Sequence, residues 1–485
     1  MYADENVIKI KHEVLYEVAK HAFAGDLDEK RERIPFDLIP GPTPQFRCCI
    51  YKEREIIRQR VRLAEGKTPD GREDDGNIMQ VIESACADCP ISSYTVTENC
   101  QNCAGKACIN ACKFGAIEPG RYRSHIDAQK CKECGKCAQA CPYNAIAHLK
   151  RPCKFSCPVN AITYNENGIS VIDPKKCIRC GKCIHSCPFG AIGTKTFIVD
   201  VIKALLDPEK KVYALCAPAA EGQFGPDYTM NSWRKAAEEL GFDGFYEVGL
   251  GGDMTAAYEA EEWTEAYKEG KKMTTSCCPG FVNMIRLHYP ELLDAVSTTV
   301  SPMCAVSRMI KAKEPDAVCV FIGPCIAKKS EIADQKIEGN ADYALTYSEI
   351  RAIMRAKDVQ LQPDDGSLGQ QASKYGKRFA NSGGVTAAVL QCMKESEEEI
   401  DAKVCKANGA AECKKALLLM KAGKLPEDFV EGMACEGGCV GGPSAFNDMV
   451  STKKFRDEMI EKADNRGIHE NLKQYDMDSF SMHRE

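Results

Sequence analysis

Twice in this chain four cysteines recur with one spacing: Cys131-x2-Cys134-x2-Cys137-x3-Cys141-Pro142 and Cys177-x2-Cys180-x2-Cys183-x3-Cys187-Pro188. Three thiolates this close can wrap one face of an iron-sulfur cube, while the fourth, ahead of proline, reaches a second cube. Zinc takes four ligands in two pairs and needs no such run. A third run, Cys100-x2-Cys103-x4-Cys108-x3-Cys112, is the same device lengthened by two residues, and Cys153-x3-Cys157-Pro158 is a half-run without its opening pair. Cys86-x2-Cys89 can supply that pair, or can form a zinc site of its own. These sixteen cysteines suit four 4Fe-4S clusters. With crossed fourth ligands the sets are Cys100, Cys103, Cys108 with Cys141; Cys131, Cys134, Cys137 with Cys112; Cys177, Cys180, Cys183 with Cys157; and, by exclusion, Cys86, Cys89, Cys153 with Cys187.

Five further cysteines lie in three loops rich in turn formers. These are Thr275-Ser276-Cys277-Cys278-Pro279-Gly280-Phe281, Gly323-Pro324-Cys325-Ile326-Ala327-Lys328-Lys329-Ser330-Glu331, and Glu431-Gly432-Met433-Ala434-Cys435-Glu436-Gly437-Gly438-Cys439. Taken alone they are scattered thiols, enough for one more cluster. Of the rest, Cys216 and Cys319 sit in apolar runs as small hydrophobes, and Cys304 and Cys392 have no assigned partner. Cys48 with Cys49, and Cys405 with Cys413, are pairs of open role.

Composition agrees with metal-binding thiols. The chain has 29 cysteines in 485 residues, and its first stretch carries charges throughout, which argues against a secretory signal and a disulfide framework. A reduced, cytoplasmic protein is expected. No run of about 18 apolar residues suggests a membrane span. The formal charge of -6 is mild, and no basic block with interleaved aromatics points to nucleic acid. Each cluster with four thiolates adds roughly two negative charges, so the loaded protein is distinctly anionic. Lys130, Lys132, Lys136, Lys175, Lys176, Arg179 and Lys182 are interleaved with the ligands, where they offset that charge, steer an acidic electron carrier, or simply face solvent. No glycine-rich fingerprint follows a strand, so NAD or flavin is not expected within the chain.

The elements that must hold these residues fall into four stretches. Residues 1–80 read as a helical segment, with apolar positions at helical spacing in VIKIKHEVLYEVAKHAF and YKEREIIRQRVRLA and the turn-forming IPGPTPQ between. Residues 81–195 are the cysteine-dense 4Fe-4S region. Within it a phrase recurs, a cysteine followed shortly by Gly or Asn, Ala and Ile, in KFGAI, YNAI, VNAI and FGAI. Residues 200–450 alternate amphipathic helices with strand-like runs (KVYALCAPA, GFYEVGLGG, KMTTSCCPG, AVCVFIGPC, DYALTYSE, FVEGMACEGGC), the pattern of an α/β domain. Such sheets bind ligands beyond the carboxyl ends of their strands, where these runs place their cysteines. Residues 451–485 read as a charged helical tail that frays.

Together the three loops resemble the signature segments of FeFe (iron-only) hydrogenases, and residues 210 to 445 follow the order and spacing of that family's catalytic domain. The resemblance is nearest to a less-studied branch with a TSCCP first loop, and the N-terminal half resembles the ferredoxin-like extensions of these enzymes. It implies a two-lobed α/β catalytic fold preceded by ferredoxin-like α+β 4Fe-4S domains. It also implies an H-cluster, a 4Fe-4S cube joined through one thiolate to a diiron unit with CO, CN and an azadithiolate. By the resemblance Cys278, Cys325, Cys435 and Cys439 hold the cube, with Cys439 as the bridge. Cys277 faces the open iron as a proton donor, its thiol expected near 8.5. Lys328 donates to a cyanide, and Met433 packs on the diiron unit. Glu259 and Glu262, three apart on one helix face, line a proton path with Ser297, although the acidic run around them also suits a solvated face. Glu331 is a further match.

The sequence departs from the family at Gly323-Pro324, where Met-Pro is familiar, and at Ala217-Pro218-Ala219, which replaces a segment ending in a cyanide-binding serine. Met303 stands for a usual glutamine, and Ala266 for an arginine at the outer end of the proton path. These changes bear on rate and catalytic bias. The implied activity is reversible formation of dihydrogen from protons and electrons, with ferredoxin or a similar carrier and the H-cluster maturation enzymes as partners. A low-turnover hydrogen sensor and an iron-sulfur scaffold protein are the alternatives.

Overall fold

A computed structural model of the chain describes residues 5–87, 89, 94–364, 370–398 and 400–484. The two helices expected at the start are α1 (Glu5–Ala24) and α2 (Ile50–Ala64), which bury Val14 and Val18 against Ile57 and Val61. Two short helical turns, Leu27–Lys30 and Ile34–Leu38, come between them, the second opened by Pro35, whose fixed φ suits a helix start.

The 4Fe-4S region is built from short antiparallel pairs. β1 (Met79–Val81) pairs with β8 (Ile192–Thr194), β2 (Tyr94–Val96) with β5 (Ile146–His148), β3 (Ile117–Glu118) with β4 (His125–Ile126), and β6 (Ile162–Tyr164) with β7 (Ser170–Ile172). The recurring phrase is explained by its backbone. Gly115, Asn144, Asn160 and Gly190 all have positive φ, at 61°, 49°, 52° and 58°, a conformation that glycine and asparagine adopt most cheaply. The turn aims the next alanine's N–H at the preceding sulfur. Ala116 donates to Cys112 Sγ at 3.4 Å, Ala145 to Cys141 at 3.4 Å, Ala161 to Cys157 at 3.2 Å and Ala191 to Cys187 at 3.4 Å. The isoleucine that follows opens or joins a strand and is buried each time.

The catalytic region contains two parallel sheets. In the first, β10 (Gly244–Glu247), β9 (Val212–Cys216), β12 (Val318–Ile322) and β13 (Tyr343–Leu345) lie in that order. In the second, β11 (Met273–Thr274), β15 (Phe429–Met433) and β14 (Val404–Asn408) do. β14 escaped the sequence reading because Val-Cys-Lys-Ala-Asn has no apolar run. A long helix, α3 (Val248–Lys268), packs on α4 (Pro302–Lys313), so closely that a Cβ on Gly251 would lie 2.0 Å from the Pro302 carbonyl oxygen. Trp263 of α3, stacked on Phe429 with ring centroids 4.3 Å apart and planes 8° from parallel, ties the helix to the second sheet.

One buried lysine joins the two halves. Lys329, with no exposed side-chain surface, donates to Glu349 Oε1 at 2.6 Å and to the Lys195 carbonyl at 2.8 Å, on the segment that leaves the 4Fe-4S region. The tail differs from expectation. It carries the helices Met449–Glu461 and Ile468–Leu472, but its last residues are packed rather than frayed: Met482 is buried, Val300 N–H donates to its carbonyl at 2.7 Å, and Arg484 N–H donates to Thr298 at 2.7 Å. Backbone pairing with residues 298–300 supplies what composition alone does not reveal.

Replacing Lys329 with methionine leaves Glu349 buried beside a lost charge. The substitution should destabilise the protein by about 3–5 kcal/mol in denaturant unfolding, and a change under about 1 kcal/mol would show that this ion pair does not hold the halves together.

Candidate functional site

Four strands end on one cavity. β9 leads into Ala217-Pro218-Ala219, β12 into Pro324 and Cys325, β11 into Cys277 and Cys278, and β15 through Met433 into Cys435 and Cys439, so both sheets present their carboxyl ends to the same space. The cavity has a volume of about 80 Å³. Its polar side chains are the five cysteines and Lys328; the remaining lining includes Val248, Pro302, Met303, Phe321 and Phe379. Every cysteine of the three loops is therefore brought together, along with Lys328 and Met433.

This lining suits a metal cluster and little else. Burial pushes the Cys325 thiol up to about 12 and the Cys439 thiol to about 11, and Cys435 well above its ordinary value, so without a metal these groups stay neutral. Iron would remove that penalty, since a coordinated thiol is deprotonated outright. Cys277 is raised as well, first by burial and then by Glu259 and Cys278, so the ordinary value expected from sequence does not hold and the thiol keeps its proton. Burial opposes the charge on Lys328, but Glu331, Cys325 and Cys277 outweigh it. Its ammonium donates to Glu331 Oε2 at 2.6 Å and Ser301 Oγ at 2.7 Å.

Glu259 is fully buried, which the acidic run around it conceals. Its Oε1 accepts from Ser276 N–H at 3.1 Å and from the Ser276 hydroxyl at 3.3 Å, while Oε2 has no hydrogen-bond partner among the described residues. Burial pushes it up to about 8. The Ser297 hydroxyl faces Glu259 and donates to Glu262 Oε2 at 2.5 Å. Cys277, Glu259, Ser297 and Glu262 thus lie in order from the cavity outward. Sequence reading missed Ser301, the partner of Lys328, and Arg456. The buried Arg456 guanidinium donates to the carbonyls of Pro218 at 3.1 Å and Lys377 at 2.7 Å, bracing the loop after β9. Nothing local marks either residue, because their partners are distant in sequence.

The other thiols gather as hollows. Cys157, Cys177, Cys180 and Cys183 line one, and Cys112, Cys131, Cys134 and Cys137 line another. Cys86 and Cys153 both approach the Ser170 hydroxyl, at 3.5 and 3.6 Å, with Cys89 and Cys187 beside them. Cys100, Cys108 and Cys141 share an apolar cluster with Cys112, Cys131, Cys137 and Tyr94, and Cys103 is in the same loop. Among the described residues no three His, Cys, Asp or Glu side chains close round a point as a single ion requires. The hollow at Cys180 abuts the main cavity: a Cβ on Gly181 would come within 2.6 Å of Ile326 and 2.8 Å of Pro443. Arg60 donates to the Gly190 carbonyl at 2.7 Å, and Lys11 lies against the same turn, so two cations stand beside Cys187.

Of the interleaved lysines, Lys130, Lys176 and Lys182 pair with Glu118 and Asp127, Asp173, and Glu436, which occupies part of the charge that would steer a carrier. Cys216, Cys304, Cys319, Cys392 and Cys413 are fully buried. Cys48 is exposed, and Cys49 and Cys405 are half-buried. No described helix is long and apolar enough to cross a membrane.

Residues 210–443 match the family described as iron only hydrogenase large subunit, C-terminal domain. Residues 124–147 match a 4Fe-4S binding domain and residues 147–198 the LdpA Fe-S cluster-binding domain. The chain is 30% identical over 419 residues to iron hydrogenase 1 of Clostridium pasteurianum, covering 71% of this chain and 70% of that protein. It is 30% identical over 371 residues to the periplasmic [Fe] hydrogenase large subunit of Nitratidesulfovibrio vulgaris, covering 65% of this chain and 85% of that one. A solved variant of the [FeFe]-hydrogenase HydA1 from Chlamydomonas reinhardtii aligns at 23% identity and a TM-score of 0.47, over 57% of this chain and 92% of that chain.

The shift at Glu259 has a consequence for stability. A carboxyl held near 8 in the fold but at its ordinary value when unfolded stabilises fully below about pH 4.5, and that contribution is lost as pH rises toward 8. Relative to Glu259→Gln, the unmodified protein should lose on the order of 3 kcal/mol between pH 5 and pH 8 in urea unfolding. A parallel pH dependence of the two proteins would remove the shift.

Proposed function

The chain belongs to the iron-only (FeFe) hydrogenase family, and we propose that it interconverts dihydrogen with two protons and two electrons in the cavity between its two sheets. It is a hydrogenase, an oxidoreductase with an H-cluster and additional 4Fe-4S clusters. The observation that carries the reading is the arrival of five cysteines and one buried lysine, from both sheets, in a single apolar cavity. Cys278, Cys325, Cys435 and Cys439 would hold the cube, with Cys439 shared with the diiron unit. Lys328 would donate to a cyanide and Met433 would pack against the unit. When bound, the H-cluster supplies an open iron and a bridgehead amine for making or splitting dihydrogen.

The protein's own residues have two tasks, one for protons and one for electrons. An apolar lining excludes water, so protons must be passed by side chains. Cys277, kept protonated by burial, would exchange with the cavity, and Glu259, near 8, gains and loses a proton close to neutrality. Ser297 would connect Glu259 to Glu262. Glu331 would act by holding the Lys328 ammonium in place. Electrons from ferredoxin or a similar carrier would enter at the outer clusters, on the sets Cys100, Cys103, Cys108, Cys141 and Cys131, Cys134, Cys137, Cys112. They would continue through Cys86, Cys89, Cys153, Cys187 and Cys177, Cys180, Cys183, Cys157, the last beside the cavity. Lys11 and Arg60 offset cluster charge at Cys187.

Protein made with the H-cluster maturation enzymes should show CO and CN bands in the infrared and evolve dihydrogen from a reduced dye; absence of both bands would sink the assignment. Cys277→Ala should keep those bands while turnover falls by about 100-fold or more, and full activity would remove its proton role. Anaerobically reconstituted Cys153→Ser should carry about four fewer irons per chain. Unchanged iron, with one zinc bound per chain, would return Cys86 and Cys89 to a zinc site.

A further inference from the structure

Beyond Glu262 the hydrogen-bonded series continues onto a part of the chain far away in sequence. Glu262 Oε1 accepts from the Thr298 N–H at 3.0 Å and also from the Thr298 hydroxyl. That hydroxyl oxygen lies 2.8 Å from His483 Nδ1, and the same nitrogen is 3.6 Å from Glu262 Oε1. Exposure rises along the series: Glu259 is fully buried, the Glu262 side chain is 14% exposed and that of His483 50%. Ala266, one turn past Glu262 on the same helix, has no polar side-chain atom.

His483 is held where it is by the backbone. Thr299 and His483 form an antiparallel bridge, Val300 N–H donates to Met482 and Arg484 N–H to Thr298, both at 2.7 Å. Arg308 Nη1 donates to the carbonyls of Ser481 at 2.7 Å and His483 at 2.9 Å, and Arg484 Nη2 donates to the Ser276 carbonyl at 2.9 Å. The edge of the imidazole also meets the Tyr258 ring, centroids 5.7 Å apart. The titratable groups that meet it are Glu262 and Tyr258 on α3, with Arg308 of α4 on its carbonyl, and Tyr258 in turn faces Glu261 and Asp478.

We propose that His483 is the outer proton-exchange group of this hydrogenase, passing protons between solvent and Glu262 through the Thr298 hydroxyl. The proposal rests on the reading of Glu259, Ser297 and Glu262 as the proton path. In the inward direction the imidazolium gives its Nδ1 proton to Thr298 Oγ1 as the hydroxyl proton moves to Glu262 Oε1, which leaves the neutral ring with its proton on Nε2, and a proton taken from solvent hydronium restores the imidazolium. No electrons move. Histidine suits this position because either of its two ring nitrogens can carry a proton.

The test compares His483→Gln, His483→Ala and Glu262→Gln in the matured enzyme. Both histidine variants should keep the infrared bands, lose turnover by about tenfold or more and change the pH profile of turnover. Added imidazole should restore much of the rate of His483→Ala; a loss that imidazole does not relieve assigns a structural role and overturns the proposal. A readout independent of turnover is the NMR spectrum of protein carrying 13C-labelled histidine. The His483 ring signal should move in Glu262→Gln, and an unmoved signal overturns the contact. If Glu262→Gln collapses turnover while His483→Gln leaves rate and profile unchanged, only the histidine step is overturned. If Glu262→Gln is itself fully active, the path on which it rests falls instead.

Discussion

A sulfur that is to hold iron must be buried beside other sulfurs, and burial works against the charge it needs. The architecture answers that conflict in two ways. In the 4Fe-4S region each of four cysteines receives an N–H from the alanine four residues on, through a turn that only a positive φ allows. In the catalytic region the thiols stand in an apolar cavity lined by one ammonium, Lys328, as the fixed positive charge. The first arrangement suits clusters that only store and pass electrons. The second keeps water away from a place where protons have to be counted one at a time.

Holding loops in an apolar cavity without water requires support from behind, and buried charges provide it. Arg456 spans the carbonyls of Pro218 and Lys377, and Lys377 pairs with Glu221 at 2.6 Å. Lys329 does the same between the second loop and the segment leaving the 4Fe-4S region. Each of these cations is paired or bonded to carbonyls, as buried charge must be. The cavity is thereby framed by rigid strand ends on one side and by pinned loops on the other.

What was legible in the sequence is what is encoded locally. Cysteine spacing announced the clusters, the Gly or Asn before Ala-Ile marked a turn whose geometry the φ values explain, and strand-like runs ending in Cys or Pro placed the loop cysteines at the carboxyl ends of strands, which the structure distributes over two sheets. The depth of Glu259 was not legible, because in Tyr-Glu-Ala-Glu-Glu-Trp the tertiary packing of α3, not the local polarity, decides which carboxyl is buried. β14 was missed for want of an apolar run, and the packed end of the tail because its partners lie at residues 298–300. Thr298 and His483 belong to the same class: neither residue type nor spacing links positions 185 apart.

The crossed fourth cysteines have a consequence for how the protein is put together and taken apart. Cys112 stands with Cys131, Cys134 and Cys137 at one hollow, and Cys157 with Cys177, Cys180 and Cys183 at another. On the ligand sets proposed above, each short turn has a foot in two cubes. On those sets, filling one cube would prepare a corner of its neighbour, and the two would template each other instead of filling independently. The same interlacing would run in reverse under oxidative attack, where loss of one cube would take a ligand-bearing turn from its partner.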